Sequence, residues 1–269
     1  MSLTNTPDLS NLTIEQKREL LAKLMQRKNQ QKARSFNLDP LSLAQQRLWF
    51  IAQLQPEETV YTIPAVLRLQ GALQTDVLKH ALTAIVARHE ILRTQFVTVE
   101  NSPSQKVLPR LDIELPVLEI APGNLSADIE TSIRPHLQAL ITQPFDLAAG
   151  PLLRCQLLKF SDTDHILAFT IHHIVADYWS LKLLMKEIAM LYPALSRNQS
   201  SSLPELAIQY GDYAAWQHTQ QATFQTQLDY WLQQLAAPPT LLQLSTDFPR
   251  PALQSFNGAR HSFTLSRTL

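Results

Sequence analysis

The sequence predicts a layered α/β (α+β) fold, on three observations. Short apolar runs rich in β-branched residues alternate with stretches whose apolar residues recur at helical spacing. Capping and turn residues separate the two kinds of segment. Of 269 residues, 45% are hydrophobic and 17% charged, enough apolar side chain to bury a core in one large domain or two small ones.

The chain opens with a charged helix. Thr13 and Gln16 form a capping box, and Leu20, Leu21, Leu24 and Met25 make a narrow apolar stripe among lysines and arginines, the pattern of a leader or docking helix. After a polar linker, Ser42 and Gln45 form a second capping box ahead of a helix in Leu41–Phe50. A strand at Ile63–Leu69, a helix at Thr75–Arg88 and a strand at Ile91–Val97 follow, with shorter strands at Gln105–Leu108 and Ile113–Ile120. A helix is expected around Ser126–Ile141, then strands at Leu152–Phe160 and His165–His173. The tail reads as helices at Glu205–Gln220 and Phe224–Leu235, with extended Pro-containing segments after them.

The formal net charge is zero, from 23 basic and 23 acidic side chains, so no overall field draws nucleic acid or an anionic membrane. No stretch approaches the length of a membrane span, and the first residues lack the pattern of an export signal. The single cysteine, Cys155, sits in an apolar run, where a core role is expected rather than a nucleophilic one. One cysteine permits no intrachain disulfide, which suits a reducing cytoplasm. With five glycines there is no phosphate-cradling loop, and no Gly-x-Ser-x-Gly elbow occurs.

Chemistry concentrates at His172-His173-Ile-Val-Ala-Asp177, where the apolar strand gives way to an amphipathic helix. Neighbouring residues of a strand point to opposite faces, so His172 and His173 serve different ends. Asp177 falls at the helix N-terminus, where free N–H groups and the dipole favour a carboxylate. Ser180 lies in the first helical turn and is read as a polar helix residue, not a nucleophile. A metal site is not expected, because no Cys pair or nearby Glu/His set completes a coordination sphere.

Four strings in order resemble the core motifs of condensation domains of nonribosomal peptide synthetases. They are Ser42-Leu-Ala-Gln-Gln-Arg-Leu-Trp49, Arg88-His-Glu-Ile-Leu-Arg-Thr-Gln-Phe96, His172-His-Ile-Val-Ala-Asp177 and Tyr210-Gly-Asp-Tyr-Ala-Ala-Trp216. Leu244-Ser-Thr-Asp-Phe-Pro-Arg-Pro251 resembles the stretch that follows the fourth. The likeness covers residues 38 to 269 and implies a chloramphenicol acetyltransferase-like fold of two lobes around a tunnel, one lobe being largely complete here. It divides the chain into a leader helix and linker (1–36), an N-terminal lobe (37–215), and crossover helices with a linker entering the second lobe (216–269).

The implied reaction is amide formation, in which the amine of an acceptor aminoacyl thioester attacks a donor acyl or peptidyl thioester. Both substrates ride on the phosphopantetheine of carrier proteins, and the domain itself binds no cofactor. Carrier proteins, adjacent synthetase modules and the C-terminal lobe are the implied partners, and half a domain is expected to be inactive alone. His173 is the implied catalytic residue, removing the amine's proton or orienting the amine and stabilising the tetrahedral intermediate. His172 and Asp177 would support it, with Arg93 as Asp177's expected ion-pair partner.

The sequence departs from the family pattern at Tyr178, where glycine is usual; the phenol would line the tunnel and narrow it, or point away. Two alternatives accompany this reading: a noncatalytic module that docks carrier proteins, and a coenzyme A-dependent acyltransferase.

Overall fold

The computed structural model describes residues 38–120, 129–200, 203–237, 244–252, 258–259 and 261–267. The leader helix expected before residue 36 lies outside them. The described chain runs β1 (Leu38–Pro40), α1 (Leu43–Leu54), β2 (Thr62–Gln70), α2 (Thr75–Arg88), a 3-10 turn (Glu90–Arg93), β3 (Thr94–Val99), β4 (Ser102–Val107) and β5 (Val117–Glu119). It continues through α3 (Ile129–Ile141), β6 (Leu153–Ser161), β7 (Asp164–His172), α4 (Tyr178–Ser196), α5 (Tyr210–His218) and α6 (Gln221–Gln234).

The long strands form a four-stranded sheet in the order β2-β7-β6-β5, antiparallel except for the β5–β6 pair. Every residue of β7 from His165 to His172 is buried, as its unbroken apolar character demands. One sheet face, through Leu157, Leu167 and Phe169, shares a core with Ile85 and Val86 of α2 and with Leu184, Ile188 and Leu191 of α4. The other face, through Leu158 and Ile166, packs on Ile133 of α3. The result is a layered arrangement of helices, sheet and helix, joined by a small β1-β4-β3 sheet.

Three expectations need correction. Ile91–Val97 is not one strand. Its first half is the 3-10 turn, closed by Leu92 N–H to the His89 carbonyl at 3.0 Å and by Thr94 Oγ1 to the Glu90 carbonyl at 2.8 Å. An apolar run does not distinguish a turn that buries Leu92 from a strand that would. Of Ile113–Ile120, only Val117–Glu119 is strand; the Pro116 carbonyl before it accepts the Leu157 N–H at 2.8 Å but Pro116 has no N–H to donate, and Ile113 and Leu115 are buried from the preceding loop. The helix expected from Glu205 starts at Tyr210, since Asp212 Oδ2 captures the Gln209 N–H at 2.9 Å and caps it there.

Two compact units are present, one ending at Gln221 and one starting at Ala222. Trp216–His218 belong to the first, where the Gln217 amide oxygen accepts the Leu43 N–H at 2.8 Å and His218 Nε2 lies 2.8 Å from the Leu41 carbonyl. The second contains most of α6 followed by chain without regular secondary structure among its described residues.

Candidate functional site

β7 ends at His172, and the chain turns through His173–Ala176 before Asp177 caps α4. His172 is buried, with its N–H on the Leu152 carbonyl at 3.0 Å and its ring edge-on to Phe145, centroids 5.9 Å apart. Its Nδ1 accepts the Ile174 N–H at 3.1 Å, so the neutral ring carries its hydrogen on Nε2. Burial, then the neighbouring His173, push the His172 pKa down to about 4, which keeps it neutral near pH 7. His173 donates its backbone N–H to the Tyr61 carbonyl at 2.8 Å and is exposed. The end of β7 thus separates the two imidazoles, His172 packed in the fold and His173 exposed on the turn that follows.

The expected ion pair between Asp177 and Arg93 is absent. Asp177 Oδ1 accepts the Ser180 N–H at 2.8 Å and the Ser180 hydroxyl at 2.7 Å, and Ser180 Oγ takes the Asp177 N–H at 3.2 Å. Those Ser180 bonds, with lesser help from the Trp179 N–H and the His173 charge, hold the carboxyl below its ordinary range. A reciprocal cap three residues away satisfies the carboxylate locally. Arg93, at the end of the 3-10 turn, donates through Nη1 to the Leu108 carbonyl and lies 3.5 Å from Glu90 Oε1.

Asp177→Ala should therefore cost about 1 kcal/mol, the usual value of a lost cap, and not the several of an orphaned buried arginine. The carboxyl's folded pKa is depressed, so its contribution is present above the unfolded pKa of about 3.9 and lost as pH falls through the folded value. Urea midpoints of the two proteins at pH 7 measure it, and a loss above about 3 kcal/mol would reinstate a buried ion pair.

The other motif strings gather around this turn. Ser42 caps α1 by accepting the Gln45 N–H at 3.2 Å, and its hydroxyl lies 3.0 Å from the Tyr210 hydroxyl of α5. Gln45, buried, donates through Nε2 to the Ile174 carbonyl and to Gln105 Oε1, each at 3.2 Å. Arg88 and His89 meet Glu187 of α4, with Arg88 Nε 3.2 Å from one carboxylate oxygen and His89 Nε2 2.7 Å from the other. Gln209 closes that group, accepting the Glu90 N–H at 3.1 Å and donating to the Arg88 carbonyl at 2.9 Å. At Gly211 a Cβ would stand 2.4 Å from Asp39 Oδ2, so the close approach of α5 to β1 requires glycine unless Asp39 moves.

Glu187, Gln105 and Gln209 were not singled out from the sequence. Glu187 carried a signal, a carboxylate set in the buried Leu184–Ile188–Leu191 stripe of its helix. Tyr178 is the first residue of α4 and 72% exposed, with the Lys182 ammonium 4.8 Å from its ring centroid. Trp179 beside it is 76% exposed. Cys155 is buried and its thiol is pushed up to about 12 by burial, so it is unreactive, as its apolar setting suggested. Among the described residues no helix is long and apolar enough to cross a membrane.

The layered fold is that of a chloramphenicol acetyltransferase-like domain, and the comparisons with known proteins narrow the class. The condensation-domain family model matches residues 37–269, and the chain belongs to that family. It is similar to a linear gramicidin synthase of Brevibacillus parabrevis, 40% identical over 233 residues that are 86% of this chain and 4% of that protein. Malpibaldin synthetase of Mortierella alpina is 43% identical over 221 residues, 81% of this chain and 4% of that one.

Among solved structures, the complex of the X-domain and OxyB from teicoplanin biosynthesis aligns with a TM-score of 0.72 at 28% identity, over 83% of this chain and 49% of that one. The starter condensation domain of rhizomide synthetase RzmA shares the fold, with a TM-score of 0.67 at 24% identity over 76% of this chain and 49% of that one. The chain thus spans a small part of the synthetases it matches and about half of the solved domains.

Proposed function

We propose that this chain supplies the His173-bearing half of a condensation domain that joins a donor acyl or peptidyl thioester to the amine of an acceptor aminoacyl thioester. The new C–N bond forms as the C–S bond breaks, the donor carrier's phosphopantetheine leaves as a thiol, and the amine loses one proton. The observation that carries this reading is the contrast at the strand end, where His172 is buried and neutral while His173 is exposed on a backbone held from both sides. A free α-amine with a pKa of about 8 needs only a modest base, and an imidazole with a reference pKa of about 6.5 is one. Holding the amine at the thioester carbonyl adds the larger share, since positioning is worth several kcal/mol where basicity is modest.

Carrier proteins are the partners in this reading, and the other half of the domain completes the tunnel. A reducing cytoplasm is its setting, consistent with the single buried thiol of Cys155. A second reading, a noncatalytic docking module, is supported by Tyr178 in the place of the family's glycine and by the similarity to an X-domain solved together with OxyB. One assay separates them: donor and acceptor carrier thioesters are supplied to the chain with and without a second-lobe polypeptide, and products are read by intact mass. The first reading requires an amide product with the second lobe present. Carrier binding without product in either arrangement favours the second.

A further inference from the structure

We infer that Gln45 is a positioning residue for His173, acting through Ile174, the residue that follows it; the inference rests on the catalytic reading of His173 above. Ile174 is gripped on both sides, its N–H by His172 Nδ1 at 3.1 Å and its carbonyl by Gln45 Nε2 at 3.2 Å. With the His173 N–H on the Tyr61 carbonyl and the Val175 N–H on the His172 carbonyl, the backbone on both sides of the exposed imidazole is fixed. Of these holds, the Gln45 bond alone comes from a side chain outside the turn and its strand.

The Gln45 amide can sit only one way. Its oxygen accepts the Ser42 N–H at 3.0 Å, and its nitrogen faces two acceptors, Gln105 Oε1 and the Ile174 carbonyl. A flipped amide would set oxygen against both acceptors and N–H against N–H. Ser42, Gln45 and Gln105 are each 1% exposed, so no water replaces a lost bond without cost. Without the Gln45 donor, the peptide joining Ile174 to Val175 keeps only the Val175 N–H bond to the His172 carbonyl, and the turn that carries His173 is held less firmly. A displacement of about 1 Å at a reacting group can cost on the order of 10²-fold in rate.

The test compares Gln45→Met with Gln105→Met in the chain assembled with its second lobe. Gln105→Met also removes buried hydrogen bonds, to Gln45 and to the Pro40 carbonyl, but leaves the Ile174 carbonyl held. Gln45→Met should lower kcat by on the order of 10–10²-fold with KM for the carriers little changed, while Gln105→Met lowers melting temperature without a matching loss of kcat. Hydrogen exchange of the peptide spanning 172–177, measured on the chain alone, should quicken in Gln45→Met and stay unchanged in Gln105→Met.

Should Gln45→Met fail to fold, Gln45→Glu takes its place. Only its protonated carboxyl can donate to the Ile174 carbonyl, so its rate relative to the parent should climb as pH falls. Equal losses of kcat in the two Met variants, unchanged exchange at 172–177, or a flat Gln45→Glu ratio would overturn the inference. His173→Ala keeps the two levels apart. If it leaves the rate intact, the catalytic reading fails; if it abolishes the rate while Gln45→Met does not lower kcat, only the positioning fails.

Discussion

Glu187→Ala is expected to lower the unfolding free energy by about 3–5 kcal/mol. The carboxylate is 3% exposed and is met by Arg88 and by His89 on opposite oxygens. Removing it strands the Arg88 guanidinium, whose side chain is only 17% exposed, and leaves His89 Nε2 without its acceptor. It also opens a gap where α4 crosses α2, between Leu184 and Ile188 of the shared core. Glu187→Gln keeps an acceptor oxygen in place and should cost less, about 1–2 kcal/mol. Urea midpoints at fixed slope measure both. Equal and small losses would mean that solvent already screens the group.

Acidification from pH 6.5 to pH 4 should remove about 3 kcal/mol of stability through His172 alone. In the unfolded chain this imidazole binds a proton below about 6.5, while in the fold burial and the His173 charge hold its pKa down to about 4. Between those values the unfolded state binds more protons, so stability falls as pH falls, and below pH 4 the loss from this group stops. Near pH 7 both states are neutral and nothing is lost. His172→Phe, which keeps an aromatic ring against Phe145, starts less stable because the Ile174 N–H loses its acceptor. Its stability should nevertheless slope less over that window. Parallel slopes for parent and variant would contradict a buried neutral His172.

What was legible in the sequence was local. The Ser42–Gln45 box, the Thr75–Arg88 helix and the strand ending at the two histidines follow from spacing and capping chemistry over a few residues. The different fates of His172 and His173 were expected from strand alternation but arise because β7, buried on both faces, stops at His172 and His173 opens the turn. Contacts between segments were not legible. Arg88 and Glu187 are 99 residues apart, and Gln45 and Ile174 are 129 apart, so no local pattern marks either pair. The expected Asp177–Arg93 pair shows the opposite error, in which a distant partner was assigned to a carboxylate that Ser180 satisfies three residues away.

The rate of amide formation by His173→Ala, measured in a single turnover with the second lobe and both carrier thioesters present, bears most directly on the site. Because the imidazole is exposed, the variant should melt with the parent protein. Its rate should fall by about 10²–10⁴-fold, the range for loss of a group that moves or orients the reacting proton. Amide formation at the parent's rate would contradict a catalytic His173.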